Sequence, residues 1–352
     1  MEPPKSSPAA KTPAVSVCVP TYNYGRFLTD CIESVLQQDF SDLELVITDD
    51  NSTDGTAELV ARFAAADPRV RYIKNEQRLG MNANIKRAAD LARGRYIKML
   101  CADDWIAPRC LSRMVDLMEQ NPDVTLGTSA CIVAAEDGRA LKVEFLFGQN
   151  VSRIPGDEML ERMARGEGFG GNSSFFIRAE AYKKVGGYDG AIPYAADYHL
   201  AARLCQIGDY LHTDEPLFYG RLQATASSLT DPAKLLDVPD WFTIPQKIFR
   251  PRPAFSRSWR RYQQLSGLLT ARYITQLGLE YARGHRAYAG ALQNVLAREG
   301  NFLVGVPLLP LHIALRAVRR VTGTHLPAFR PPEPWMGPPP HTTLQNHREA
   351  RP

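Results

Sequence analysis

No uninterrupted stretch of this 352-residue chain is long and apolar enough to read as a membrane-spanning helix, which needs about 20 such residues. The first residues lack the apolar core of a secretory leader, so none is expected. There is no C-x-x-C pair. The six cysteines, Cys18, Cys31, Cys101, Cys110, Cys131 and Cys205, are scattered, several of them in apolar strands or helix faces. That argues against a disulfide framework or a structural zinc and fits a reducing compartment. The net charge of +4 is too small to point to nucleic acid. No G-x-G-x-x-G follows the first apolar run, so the dinucleotide fingerprint is missing. What remains is a chain of 44% hydrophobic and 23% charged residues, able to bury a full core and long enough for two domains plus tails.

Strand and helix patterns alternate through the first hundred residues. Val15 to Val19 reads as a strand, and Gly25 to Gln38 as a helix that turns Phe27, Leu28, Cys31, Ile32, Val35 and Leu36 inward. Leu43 to Thr48 is a second strand, with Ser52 or Thr53 as the cap of the next helix. Val70 to Lys74 is a third strand, and Met81 to Ala92 a third helix that Gly94 is expected to stop. Tyr96 to Leu100 is a fourth strand. Such alternation predicts an α/β fold with a parallel sheet and right-handed crossovers. Polar residues follow three of these strands: Thr21-Tyr22-Asn23, Asp49-Asp50-Asn51 and Asp103-Asp104. Parallel strands end on one side, so the three tips predict a single site at the carboxyl edge of the sheet. Adjacent carboxylates such as Asp103 and Asp104 suit Mg²⁺ or Mn²⁺ shared with substrate phosphates. The plainer alternative is a solvated turn before a helix that has Pro108 in its first turn.

The second half alternates less cleanly. Val124 to Ala134 and Ala140 to Phe145 flank Asp137-Gly138, a hairpin signal. Pro155 to Arg165 reads as a helix, Gly166 to Asn172 as a flexible loop, and Asn172 to Ile177 as a strand. Asp197 opens a helix with Leu200, Leu204 and Ile207 inward, and Leu211 to Tyr219, broken at Pro216, has the look of edge strands. Arg257 to Gly300 is periodic enough for two antiparallel helices, with Gly284 between them. Met1 to Ala14 and the Pro-rich stretch 326–352 read as disordered tails. The expected organisation is therefore a tail over 1–14, a sheet domain over 15–230, a helical region over 231–325 and a second tail over 326–352.

Taken together and in this order, these residues resemble family 2 glycosyltransferases of the GT-A fold. The resemblance covers about Val15 to Ser228. It is carried by Val17-Cys18-Val19-Pro20-Thr21-Tyr22-Asn23, by Ile47 to Thr56, and by Leu79-Gly80 with Asn84. Gly94-Arg95-Tyr96-Ile97, Asp103-Asp104, Gly186-Gly187-Tyr188-Asp189, Asp197-Tyr198 and Asp214-Glu215-Pro216-Leu217 complete the set. The resemblance implies a Rossmann-like, mainly parallel sheet flanked by helices and a nucleotide-sugar donor, UDP- or dTDP-linked. It puts Pro20, Tyr22, Asp50 and Asn84 at the nucleoside. Asp103, with Asp104 beside it, then holds Mn²⁺ or Mg²⁺, and Asp197 is the general base of an inverting transfer. Asn172, Ser173 and Ser174 become candidate acceptor contacts.

Two positions depart from the family pattern. Cys101 stands where the first aspartate of the D-x-D motif is expected, and a neutral thiol is a poor ligand for either metal. Ala196 stands where a glutamate often precedes the base. A degenerate nucleotide-sugar or glycan-binding module therefore stays open as the second reading. A processive synthase is disfavoured, because neither a Q-x-x-R-W motif nor several membrane spans occur. His199, two residues past the base, is expected on the acceptor rim or the surface. Phe302 to Ala317, followed by Arg319-Arg320, is either an interfacial membrane helix or a buried helix packed back on the sheet domain. The acceptor is expected to be a glycan or lipid-linked glycan, as in surface-polysaccharide assembly, and the location cytoplasmic or peripheral at the inner face of the membrane.

Overall fold

The first strand is buried on both faces, Val15, Val17 and Val19 on one and Ser16 and Cys18 on the other, the pattern of a strand covered on two sides. The computed structural model describes residues 12–144, 146–147, 150–190, 192, 194–223, 238–249, 257–310 and 313. Its first half runs β1 (Val15–Thr21), α1 (Gly25–Leu36), β2 (Leu43–Asp49), α2 (Thr56–Ala66), β3 (Val70–Lys74), α3 (Met81–Asp90) and β4 (Tyr96–Met99). These four strands are parallel, in the order β3-β2-β1-β4. Then come β5 (Trp105–Ile106), α4 (Cys110–Gln120), and the hairpin of β6 (Val124–Ala134) and β7 (Ala140–Glu144). β8 (Val151–Ile154), α5 (Gly156–Ala164), β9 (Phe176–Arg178), α6 (Ala179–Lys184), α7 (Ala196–Cys205) and β10 (Asp209–Arg221) follow. Three further helices, α8 (Val238–Phe249), α9 (Arg257–Ala282) and α10 (Arg286–Glu299), come next, and residues 302–310 are helical again.

Beyond β4 the sheet continues through β9, β6 and β10 to β5. Here the pairing is mixed: β9 is antiparallel to both β4 and β6, while β6 and β10 are parallel. Side chains alternate between two buried clusters. Val17 and Val19 face α1, α2 and α4, whereas Cys18 faces α3, α5 and α7. The second cluster runs on without a break to Leu269 and Leu292, so the C-terminal helices share a core with the sheet.

Several local expectations give way to tertiary context. Gly94 does not stop α3, whose last helical residue is Asp90. It sits instead where two backbones nearly touch, and a Cβ there would lie 2.6 Å from the Ser16 amide nitrogen. Gly94→Ala should therefore cost about 1–3 kcal/mol, read as a lower urea midpoint at unchanged slope. The strand expected over Asn172–Ile177 is split. Asn172–Ser174 winds into a 3-10 turn through Ser174 N to Gly171 O (2.8 Å) and Phe175 N to Asn172 O (3.0 Å), and only Phe176–Arg178 pairs. Leu211–Tyr219 is no edge: β10 is one continuous strand between β6 on one side and β8 and β5 on the other. Pro216 is tolerated because the register with β6 shifts at that point. Neither Ser52 nor Thr53 caps α2: its N-cap is Gly55, and Asp54 accepts the hydroxyl (2.6 Å) and the amide (3.3 Å) of Thr56. Ile207 lies past the end of α7 and is exposed, and Tyr281 at the end of α9 is exposed as well. Gly284 does turn the chain between α9 and α10, with φ +79°. Most of the two expected tails and the expected boundary at 230 lie outside the described residues.

Candidate active site

The loops after β1 and β2 are tied to each other before any ligand is considered. Asn23 and Asn51 adopt positive φ (54° and 65°), which asparagine tolerates better than most residues. The Asn23 amide donates to Ser52 Oγ (2.8 Å), and Asn23 Oδ1 accepts the Thr53 amide (2.9 Å). Beneath them Asp49 is fully buried. One of its oxygens accepts both the amide and the hydroxyl of Ser52, and the other accepts the Tyr72 hydroxyl at 2.6 Å. Asp49 is thus a structural anchor. Asp50 beside it accepts Asn75 Nδ2 (2.9 Å) and the Leu79 amide (2.6 Å) on Oδ1, and the Gly80 amide (2.8 Å) on Oδ2. One acceptor position on Oδ2 remains. Asn84 donates both amide protons to carbonyls at the ends of β1 and β2, Thr21 O (3.2 Å) and Thr48 O (2.9 Å). It holds the two strand tips in place, with none of its donors left over. Pro20 and Tyr22 stay partly exposed, and the Arg78 guanidinium lies 4.2 Å from the centre of the Tyr22 ring.

After β4, Cys101, Asp103 and Asp104 can each turn one ligand atom to within 4.8 Å of the others. Gln223 donates its amide to Asp103 Oδ2. Asp104 accepts the Arg221 amide on Oδ1 (2.9 Å) and the Ser173 hydroxyl on Oδ2 (2.5 Å). Burial raises the pKa of both carboxyls, and the charge of Asp103 helps push Asp104 up to about 7. Two partly buried carboxylates that resist ionising side by side are a donor set that a divalent cation satisfies. The Cys101 thiol is likewise driven up, well above its ordinary range, by burial and by the two neighbouring carboxylates, and so stays protonated. The chemistry of the site therefore fits Mn²⁺ or Mg²⁺ held by Asp103 and Asp104, with Cys101 as a bystander.

Asp197 occupies the first turn of α7 and accepts the Tyr198 amide at 2.7 Å. Burial lifts its carboxyl to about 6, so it is ionised at neutral pH and far more basic than an exposed aspartate. The turn Gly171–Ser174 joins it to the acid pair. A Cβ on Gly171 would lie 3.9 Å from Asp197 Oδ2, while Ser173 in the same turn donates to Asp104. Asn172 is braced from behind by the buried Tyr188 hydroxyl at 2.6 Å. Ser174 donates to the Gly171 carbonyl, so its hydroxyl serves the turn itself. His199 is buried, with Nδ1 3.8 Å from Asp189, and belongs to neither a rim nor the surface.

Residues 16–186 match the family model described as glycosyl transferase family 2. That segment, just under half of the chain, is similar to glycosyl transferase family 2. Chondroitin synthase of Escherichia coli is 28% identical over 219 residues, which is 62% of this chain and 30% of that protein. The chain thus spans under a third of that relative's length. Among solved structures, S. aureus TarS in complex with UDP-GlcNAc superposes with a TM-score of 0.62 at 18% identity, over 86% of this chain and 87% of that one. A mannosyltransferase from Pyrobaculum calidifontis, in complex with GDP-Man and Mn²⁺, gives 0.50 at 18% identity over 92% of each chain. At these identities the likeness establishes the GT-A fold.

Within this candidate site several contributors escape a reading of the sequence. Arg221 is buried at the end of β10 and reaches the Asp103 carbonyl (2.9 Å), the Glu136 carbonyl (2.5 Å) and Asp30 (2.8 Å), between the rings of Phe27 and Trp105. Lys98 is buried in β4 and donates to the Ser173 carbonyl directly behind the acid pair. Gln223 and Asn75 complete the polar shell. A charged residue inside an otherwise apolar strand is the one signal that marks Lys98 in the sequence. Arg221 and Gln223 follow a run that reads only as a strand end.

Proposed function

We propose that this chain is an inverting glycosyltransferase that moves one sugar from a UDP- or dTDP-linked donor to a hydroxyl of a glycan or lipid-linked glycan. The observation that carries the reading is the Gly171–Ser174 turn, in which Ser173 donates to Asp104 of the carboxylate pair while a Cβ on Gly171 would lie 3.9 Å from the basic Asp197. Transfer with inversion asks for that division of labour: one carboxylate to take a proton, opposite a centre that receives a diphosphate. In this account Tyr22 and Pro20 pack against the nucleoside, and the remaining acceptor position of Asp50 meets a base N–H. Asn84 keeps the strand tips that carry them in register. Asp103 and Asp104 hold the divalent cation, which when bound neutralises charge on the departing diphosphate. Asp197 orients the acceptor hydroxyl and removes its proton as oxygen attacks the anomeric carbon. Its carboxylic acid then passes that proton to solvent. Glycosidases need a second carboxyl to protonate a leaving alkoxide; a diphosphate leaves as an anion and needs none.

Ser173 spends its hydroxyl on Asp104, so an acceptor role falls to the exposed edge of Asn172 and to the Gly171 backbone. A contact with the membrane surface fits the last described segment. Val304 and Gly305 pack against Gly267 and Thr270 of α9, while Phe302, Leu303, Val306 and Ile313 are exposed. Among the described residues no helix is long and apolar enough to cross a membrane. Truncation after Asn301 should therefore move the protein out of the membrane fraction, and unchanged fractionation removes this contact from the account. The reaction is tested by incubating the protein with UDP-, dTDP-, GDP- and CDP-sugars, Mn²⁺ and a glycan acceptor, and following nucleoside diphosphate release. One donor should be consumed with formation of a glycoside of opposite anomeric configuration. Tight donor binding without turnover supports the degenerate-module reading instead.

A further inference from the structure

The C-terminal helices sit where the family segment has already ended, yet one of them reaches the helix that carries Asp197. Asp240, in the first turn of α8, is buried. Its Oδ2 accepts the backbone amides of Tyr194 (2.8 Å) and Ala195 (3.0 Å), the two residues that immediately precede α7. These amides belong to the opening of α7, which has no side-chain cap of its own. Such orphan donors need an acceptor, and a carboxylate at a helix N-terminus is the strongest kind. One helical turn or less separates that acceptor's grip from Asp197 in sequence. The same helix holds a second point on the approach to α7. Lys247 donates to Asp189 Oδ2 at 2.9 Å, in the Gly186–Asp189 turn, and Arg203 of α7 donates to the Val185 carbonyl at 2.6 Å. α8 is itself anchored, with Phe242 and Ile244 buried in the core shared with α7 and with Tyr273 of α9.

The geometry points to Asp240 as a positioning residue: by fixing the two amides that open α7, it sets the placement of the Asp197 carboxylate, and the helical extension thereby governs turnover at a site built on the sheet. The inference rests on the reading of Asp197 as the base. Asp240 does not approach the acid pair or the loops proposed to hold the nucleoside, so donor affinity is independent of it. An ångström of displacement at a reacting group is enough to slow a reaction by about 100-fold.

The test is steady-state kinetics on the full chain, paired with amide hydrogen exchange. Asp240→Ala should lower kcat by about 10- to 100-fold, leave the donor KM within about twofold, and speed exchange at Tyr194 and Ala195. Asp240→Asn, which keeps an acceptor oxygen without the charge, should recover part of the loss. Lys247→Met, which leaves the Asp240 contacts intact, should show a smaller fall in kcat, and Asp240→Asn, whose kcat should still lie below wild type, carries the test if Asp240→Ala does not fold. An Asp240→Ala protein with wild-type kcat, or one in which kcat falls only in proportion to the folded fraction, overturns the inference. If Asp197→Asn remains active, the base reading beneath it fails instead. An inactive Asp197→Asn beside unaffected Asp240 variants removes the positioning role alone.

Discussion

Asp197→Asn should lower kcat by about 10²- to 10⁴-fold, the span that a positioned general base contributes, with nucleotide affinity unchanged. The amide keeps the shape of the side chain and can still accept the Tyr198 amide, so the loss isolates proton transfer. The pH dependence follows from the same carboxyl. Burial raises it from 3.8 to about 6, against the pull of the helix dipole and the Tyr198 amide. The reaction needs the ionised form, so kcat should fall about tenfold per pH unit below about 6 and level off above it. That acid limb should vanish in Asp197→Asn. Stability has the opposite sign. A carboxyl whose pKa is raised on folding favours the folded state while protonated, and that contribution fades as pH rises through about 6. The variant, uncharged throughout, should melt no lower than wild type at pH 8. A variant that melts lower and keeps its acid limb contradicts this assignment.

The second large effect concerns Arg221. Its guanidinium lies between Phe27 and Trp105 and binds the carbonyls of Asp103 and Glu136 and the carboxylate of Asp30. Its backbone amide also donates to Asp104. Arg221→Met removes every side-chain hydrogen bond and the ion pair at once. It leaves Asp30, which is itself partly exposed, and two carbonyls without their donor. The cost should be about 3 kcal/mol, the lower end for breaking a buried pair. It should appear as a lower denaturant midpoint together with weaker metal-dependent nucleotide binding. Arg221→Lys should recover little, since an ammonium cannot serve several directions in one plane. A lysine variant with wild-type stability and binding contradicts the role given to the fork geometry.

These residues also mark what a sequence can and cannot disclose. The four parallel strands and their helices were legible because hydrophobic periodicity is a local property, and Asp103, Asp104, Asp50 and Asp197 stood out at element ends. The course of β10 was not legible, because Pro216 looks like a strand terminator until a register shift against β6 accommodates it. Asn172–Ser174 read as strand because the pattern of apolar residues continues into Phe176, whereas the amides of the turn decide otherwise. Gly94 carries a glycine for two reasons that look alike in sequence, a helix stop or a close backbone approach, and only the neighbouring strand distinguishes them. Arg221 and Asp240 act across 118 and 45 residues of chain, distances over which no spacing rule operates.

The most direct test of the central claim is a melting curve for the purified protein with UDP, dTDP, GDP and CDP, each with and without Mn²⁺. A ligand at about 100 times its Kd adds about 2.7 kcal/mol to the folded state, enough for a clear rise in Tm. The account predicts stabilisation by UDP or dTDP that requires the metal and disappears in Asp103→Ala. No shift with any nucleotide under either condition, or an equal shift in Asp103→Ala, contradicts it.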